Sequence, residues 1–122
     1  MNVLERAKQI THGAQSVTEW LGSGGQVVDY ETAQGRAIVC LKCPKNVGGW
    51  MVTNFVAMAI KRHLQVKNKL NLKVQGERKL KTCSACGCVL RLLVWEPQDR
   101  VRNQITEEEL KRLPEECWKP KP

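Results

Sequence analysis

The chain has 122 residues, a formal net charge of +8 at neutral pH, 42% hydrophobic but only 5% aromatic residues, and six cysteines. That length fits one domain with a modest core, and ordinary Gly and Pro levels exclude a low-complexity or collagen-like chain. "MNVLERAKQITHG" has no apolar h-region and no small-residue cleavage site, and the longest apolar run, "FVAMAI" at 55–60, is far too short to span a bilayer, so the expectation is a soluble protein not exported by a signal peptide and without a membrane partner.

The spacing predicts a helix over residues 1–22. Val3, Ala7, Ile10, Ala14, Val17 and Leu21 recur in alternating steps of four and three, close to a heptad seam. Leu4 and Trp20 widen the stripe, His12 falls off it, and "GSGG" at 22–25 ends it. This face is expected to pack on protein, either this chain or another. A second helix fits 29–41, with Asp29 as N-cap, Glu31 in the first turn, and Tyr30, Ala33, Ala37 and Leu41 as its apolar face. It runs into "CLKCP", where Pro44 forbids continuation.

A third helix begins near Trp50 or Val52. Val52, Phe55, Val56, Ala59, His63, Val66 and Leu70 are expected to share its inward face, with His63 a hydrogen-bonded core histidine and the nearest histidine to any metal. "QGERK" at 75–79 breaks the pattern. "VLRLLVWEP" at 89–97 fits a short strand or a helix, and Val89, Val94 and Trp95 tilt the reading to strand. Thr106 with Glu109 is a capping box opening a last short helix, which Pro114 stops.

Six thiols in a reducing compartment point to metal before disulfides. Cys40 and Cys43 form one CxxC pair, Cys83 and Cys86 a second, and 39 residues lie between the pairs. Two residues between cysteines let a tight turn aim both sulfurs at one metal, and two such turns supply the four thiolates of a structural zinc. Gly87 suits the turn after Cys86. Cys88 and Cys117 are alternates: bystanders, a substitute fourth ligand, or bridges between two metals. Zn2+ is the expected ion, and an iron–sulfur cluster is the alternative. A thioredoxin-like site is disfavoured, because Cys40 ends a helix where a redox CxxC begins one. No Gly-rich phosphate loop, HExxH or GxSxG is present, so a non-enzymatic protein is expected.

The charge is concentrated. Residues 51–82 carry Lys61, Arg62, Lys67, Lys69, Lys73, Arg78, Lys79 and Lys81 against one acid, Glu77. Such a stripe attracts polyanions or an acidic protein face. Lys61, Arg62 and Lys69 are expected on one side of the third helix, with Arg78, Lys79 and Lys81 extending the patch. No aromatic residues interleave with it for base stacking.

The order "RAIVCLKCP … CSACGC … PEECW" resembles that of small cysteine-rich, zinc-binding proteins of tailed bacteriophages and prophages. Their pattern is an Arg four residues before a first CxxC, then CxxCGC, then a Cys before a terminal Trp. Here these are Arg36, Cys40, Cys43, Cys83, Cys86, Gly87, Cys88, Cys117 and Trp118. The long basic insertion departs from the pattern, as does "CW" in place of "CPxxKW". The resemblance implies a zinc-binding virion or accessory protein of the host cytoplasm or virion.

The expected fold is mainly α: one small domain over 1–118, of three to four helices clipped by a Cys-ligated zinc knuckle, with one short strand or hairpin. Within it, 1–22 is the N-terminal helix and 29–118 the zinc core; 119–122 form a disordered tail. The expected function is protein–protein interaction with other subunits or copies of itself. The alternatives are a nucleic-acid-binding zinc module using 61–81 and a small inhibitor of a host system.

Overall fold

The computed structural model describes Gln15, residues 17–47 and residues 51–121, with 51–56 described by backbone alone. Val3, Leu4, Ala7, Ile10, His12 and Ala14 of the expected N-terminal face lie outside the described residues, as do Trp50, Pro122 and the side chains of Val52, Phe55 and Val56.

The architecture is mainly α, as expected. A helical segment over 17–22, here α1, is followed by α2 (Tyr30–Lys42), α3 (Met51–Asn68), a 3-10 turn (Glu77–Lys79), α4 (Leu90–Leu93), α5 (Gln98–Gln104) and α6 (Glu107–Arg112). Among the described residues there is no strand, only two isolated antiparallel bridges, Asn46 with Cys83 and Thr82 with Val89. No described helix is long and apolar enough to cross a membrane.

Local rules place several boundaries. Asp29 caps α2, its carboxylate accepting from the Thr32 amide at 2.8 Å. The Thr106–Glu109 capping box opens α6 with both reciprocal bonds present. α1 ends at "GSGG", and its buried Trp20 donates from Nε1 to the Gln26 carbonyl at 2.7 Å. Val17 and Leu21 of the N-terminal seam are half-buried against the core.

The core gathers Trp20, Ala33, Ala37, Leu64, Leu72, Leu80, Leu90, Val94 and Trp95 from α1, α2, α3, the loop 69–80 and α4. Two glycines permit close approach. A Cβ on Gly25 (φ +62) would fall 2.9 Å from Leu64 Cδ2, and one on Gly76 (φ +79) 2.8 Å from Leu41 Cδ1.

Three differences from the sequence reading stand out. "VLRLLVWEP" is helical over Leu90–Leu93, not a strand. Leu90, Leu92, Leu93, Val94 and Trp95 are all buried, and with no described strand to pair with, the backbone satisfies itself locally. α5 has no counterpart in the sequence reading; Pro97 precedes it and Asp99 sits in its first turn. The third difference is the orientation of α3. Ala57, Lys61 and Leu64 face inward, while Ala59, His63 and Val66 face solvent, as does Leu70 just beyond the helix.

Candidate metal centre

Cys40 sits in the last turn of α2 and Cys43 is its C-cap, the Cys43 amide donating to the Cys40 carbonyl at 3.1 Å. The chain then turns about the second sulfur. The Lys45 amide donates to Cys43 Sγ at 3.4 Å, and the Asn46 amide to the Cys43 carbonyl at 3.2 Å.

The second pair closes in a similar way. The Gly87 amide donates to the Cys83 carbonyl at 2.7 Å, with Gly87 at φ +75, a conformation that favours glycine. The Cys83 amide donates to the Cys88 carbonyl at 2.9 Å, so the CxxCGC loop folds back on its own start.

The two turns are stitched together directly. Asn46 bridges Cys83, and the Ser84 amide donates to the Lys45 carbonyl at 2.8 Å. Asn46 adds both ends of its amide, Nδ2 donating to the Lys79 carbonyl at 2.9 Å and Oδ1 accepting from the Lys81 amide at 2.7 Å. Backbone contacts therefore close the 39-residue insertion at its two cysteine pairs.

A third segment arrives from the C-terminus. Cys117 is buried, Trp118 Nε1 donates to Cys40 Sγ at 3.3 Å, and Lys119 Nζ lies 3.6 Å from Cys86 Sγ. Residues 119–121 are thus tied to the fold, where the sequence reading expects a disordered tail over 119–122. Lys119 is buried, and Gln98 Nε2 donates to the carbonyls of Trp118, Lys119 and Lys121.

Arg36 clamps this segment to the fold. Its guanidinium is buried and donates from Nη1 to the carbonyls of Val94 (3.0 Å) and Glu96 (2.6 Å), and from Nη2 to Gln98 Oε1 (2.9 Å). It also lies 4.3 Å over the Trp118 ring. Burial lowers its pKa, and the Glu96 carboxylate opposes the shift.

All six cysteines are free thiols. Burial raises the Cys40 pKa, against the Trp118 N–H and the Lys119 ammonium. The Cys83 thiol is raised first by its hydrogen bond with Cys86, then by burial. For Cys86 the bond with Cys83 pulls down, but the bond with Cys88 and burial outweigh it and push the thiol up to about 12. Burial raises Cys117 against Lys119, and the Cys83 and Cys43 thiols add to the rise. Burial works against the Lys119 charge; Cys86, Cys83 and Cys117, as thiolates, outweigh it and hold the ammonium on.

Among the described residues, no group of three or more Cys, His, Asp or Glu side chains is already arranged to hold a metal ion. The cation set among these thiols is that of Lys119. The donor chemistry itself, cysteine sulfur at Cys40, Cys43, Cys83, Cys86 and Cys117, is of the kind a soft, thiolate-bound ion takes. Cys88, half-buried, interacts with Cys86. His63 is exposed on α3 and takes no part.

The structure divides the basic stripe. Arg62, Lys67, Lys69, Lys73, Arg78, Lys79 and Lys81 are exposed. Lys61 is not among them: it is buried in an ion pair with Glu77. Burial, with Arg91 and Lys73 nearby, lowers its pKa to about 8. The sequence reading overlooked Lys119 and Gln98. Neither carries a local signal; each matters only through a partner about twenty or more positions away.

No protein-family model, no curated protein and no solved structure matches this chain.

Proposed function

We propose that this protein is a non-enzymatic interaction module stapled by one thiolate-bound zinc, working as a virion, assembly or accessory component of the phage type that its cysteine order resembles. The observation that carries the reading is the stitching of the two CxxC turns, Ser84 N–H to the Lys45 carbonyl and Asn46 to Lys79 and Lys81. So distant a pair of turns gains from a cross-link that closes the loop between them. Cys40, Cys43, Cys83 and Cys86 would hold the ion, with Cys117 beside them. Four thiolates on a divalent ion leave excess negative charge, and the Lys119 ammonium and the Trp118 N–H are placed to offset it. The ion would supply folding free energy and no reaction step.

Elemental analysis and native mass spectrometry test this. One zinc per full chain is expected. Cys83→Ser should lose it and melt much lower, while Cys88→Ser should keep it. A metal-free wild type, or a Cys83→Ser protein with unchanged melting, would overturn the reading.

A second reading, a nucleic-acid-binding module, is favoured by the exposed Arg78, Lys79 and Lys81 beside the second turn. It requires a gel shift that weakens with salt, at a log–log slope of about −0.9 per duplex phosphate neutralised.

A further inference from the structure

We propose that the outward face of α3 docks a second copy of this chain, which seats on it the acidic ridge around Leu110; this rests on the interaction-module reading and names its partner.

The face lies opposite the one that packs. Met58, Arg62 and Val66 follow at i, i+4 and i+8, with Lys69 and Leu70 just past the helix end. Val66 is 79% exposed, Leu70 51% and Met58 44%. Single exposed apolar residues are ordinary, but Met58 and Val66 share one side of α3, and Leu70 follows two residues past its end. Among the described residues the acids of the ion pairs are Glu77, Glu96 and Glu108, and none reaches Arg62 or Lys69. Glu77, the one acid between residues 51 and 82, is taken up by Lys61.

The complementary surface lies on the same molecule. On α6 and just after it, Leu110 is 51% exposed, and Glu107, Glu115 and Glu116 are exposed near it in sequence. The first surface is apolar with a basic rim; around Leu110 the exposed Glu107, Glu108, Glu115 and Glu116 outnumber the exposed Lys111 and the half-buried Arg112, so its surroundings carry net negative charge. A two-fold contact of α3 with α3 would set Arg62 and Lys69 against their own copies. Like charges opposed in this way disfavour an isologous dimer. The pairing that satisfies both rims is head-to-tail, and a heterologous contact repeats into a ring or a filament.

Sedimentation velocity of the full chain at low salt, from micromolar to sub-millimolar concentration, tests the proposal. Self-association that grows with concentration and weakens with salt is expected. Val66→Asp and Leu110→Lys should each weaken it about tenfold or more, with melting temperature and metal content unchanged. The decisive experiment is a mixture. Arg62→Glu/Lys69→Glu protein and Glu107→Lys/Glu116→Lys protein should each stay monomeric alone. Together they should associate, because the first keeps the native ridge and the second the native α3 face. A wild type monomeric throughout, or a mixture that stays monomeric, overturns the proposal. So does a folded monomer that shifts duplex DNA in place of associating. Loss of metal with association retained would sink the zinc reading and leave this one standing.

Discussion

Arg36→Met tests whether the Arg36 clamp holds the C-terminal segment on the fold. Methionine keeps much of the stem but removes the bonds to the carbonyls of Val94 and Glu96, the bond to Gln98 and the stacking on Trp118. Two carbonyls left unpaired in a buried place cost about 1–3 kcal/mol each, and a desolvated cation–π contact about 2 kcal/mol. Against this, the variant no longer buries a guanidinium, which refunds several kcal/mol. The net expectation is a loss of about 3 kcal/mol. For a domain of this size that is a fall of about 12 °C in Tm. Arg36→Lys keeps the charge but not the planar fork, and should recover less than half of the loss. Urea and thermal unfolding give the stability, and elemental analysis gives the metal content. An Arg36→Met protein melting within about 2 °C of wild type, less than 1 kcal/mol at this size, would refute the clamp.

Glu96 is buried, and burial raises its pKa from 4.5 to about 7, against Arg100 and its hydrogen bond with Gln104. A folded-state pKa above the unfolded one means the native chain holds a proton that the unfolded chain has released, so stability falls as pH rises from about 4.5 through 7. Glu96→Gln should remove that slope and be more stable than wild type at pH 8 by about 2–3 kcal/mol; parallel profiles in urea melts from pH 4 to 8 would count against it. Lys61→Glu should destabilise by about 3–5 kcal/mol, since it sets a second carboxylate against Glu77 in a buried place. Arg62→Glu, on the solvent side, should stay within about 0.5 kcal/mol, and equal Tm shifts for the two would contradict the orientation of α3.

The caps at Asp29 and Thr106 were legible because each rule operates within a few residues. The orientation of α3 was not. Ala59, His63 and Val66 give one acceptable helical stripe, and Ala57, Ile60 and Leu64 give another. What selects the second is remote: Gly25 leaves no room between its backbone and Leu64, and Glu77 waits for Lys61. The segment at 89–97 failed for a related reason. A short apolar run suits a buried strand or a buried helix equally, and here no described strand is present to pair with it. Each CxxC was legible as a tight turn because its spacing is local, and the structure stitches the two turns together through Ser84 and Asn46. What lies among them was not legible, since a lysine after a cysteine carries no signal until the chain folds and brings Lys119 to Cys86.

The Arg that precedes the first CxxC and the Trp that follows the last Cys, separate letters in the sequence pattern, form one physical unit. Arg36 and Cys40 lie four apart on α2, one helical turn, so they share a face. The guanidinium stacks on the Trp118 ring, and the indole N–H of the same ring reaches Cys40 Sγ. Gln98, held by Arg36, donates to the carbonyls of Trp118, Lys119 and Lys121, and the Lys119 ammonium approaches Cys86. One buried arginine therefore orients two donors toward two cysteines from opposite CxxC turns. A spacing of four keeps both side chains on one face of α2, whereas a spacing of five would set them about 140° apart around the helix. The cost of removing Arg36 should accordingly depend on Cys40: in a double-mutant cycle the two losses should fall short of additive, as they do for residues within one network.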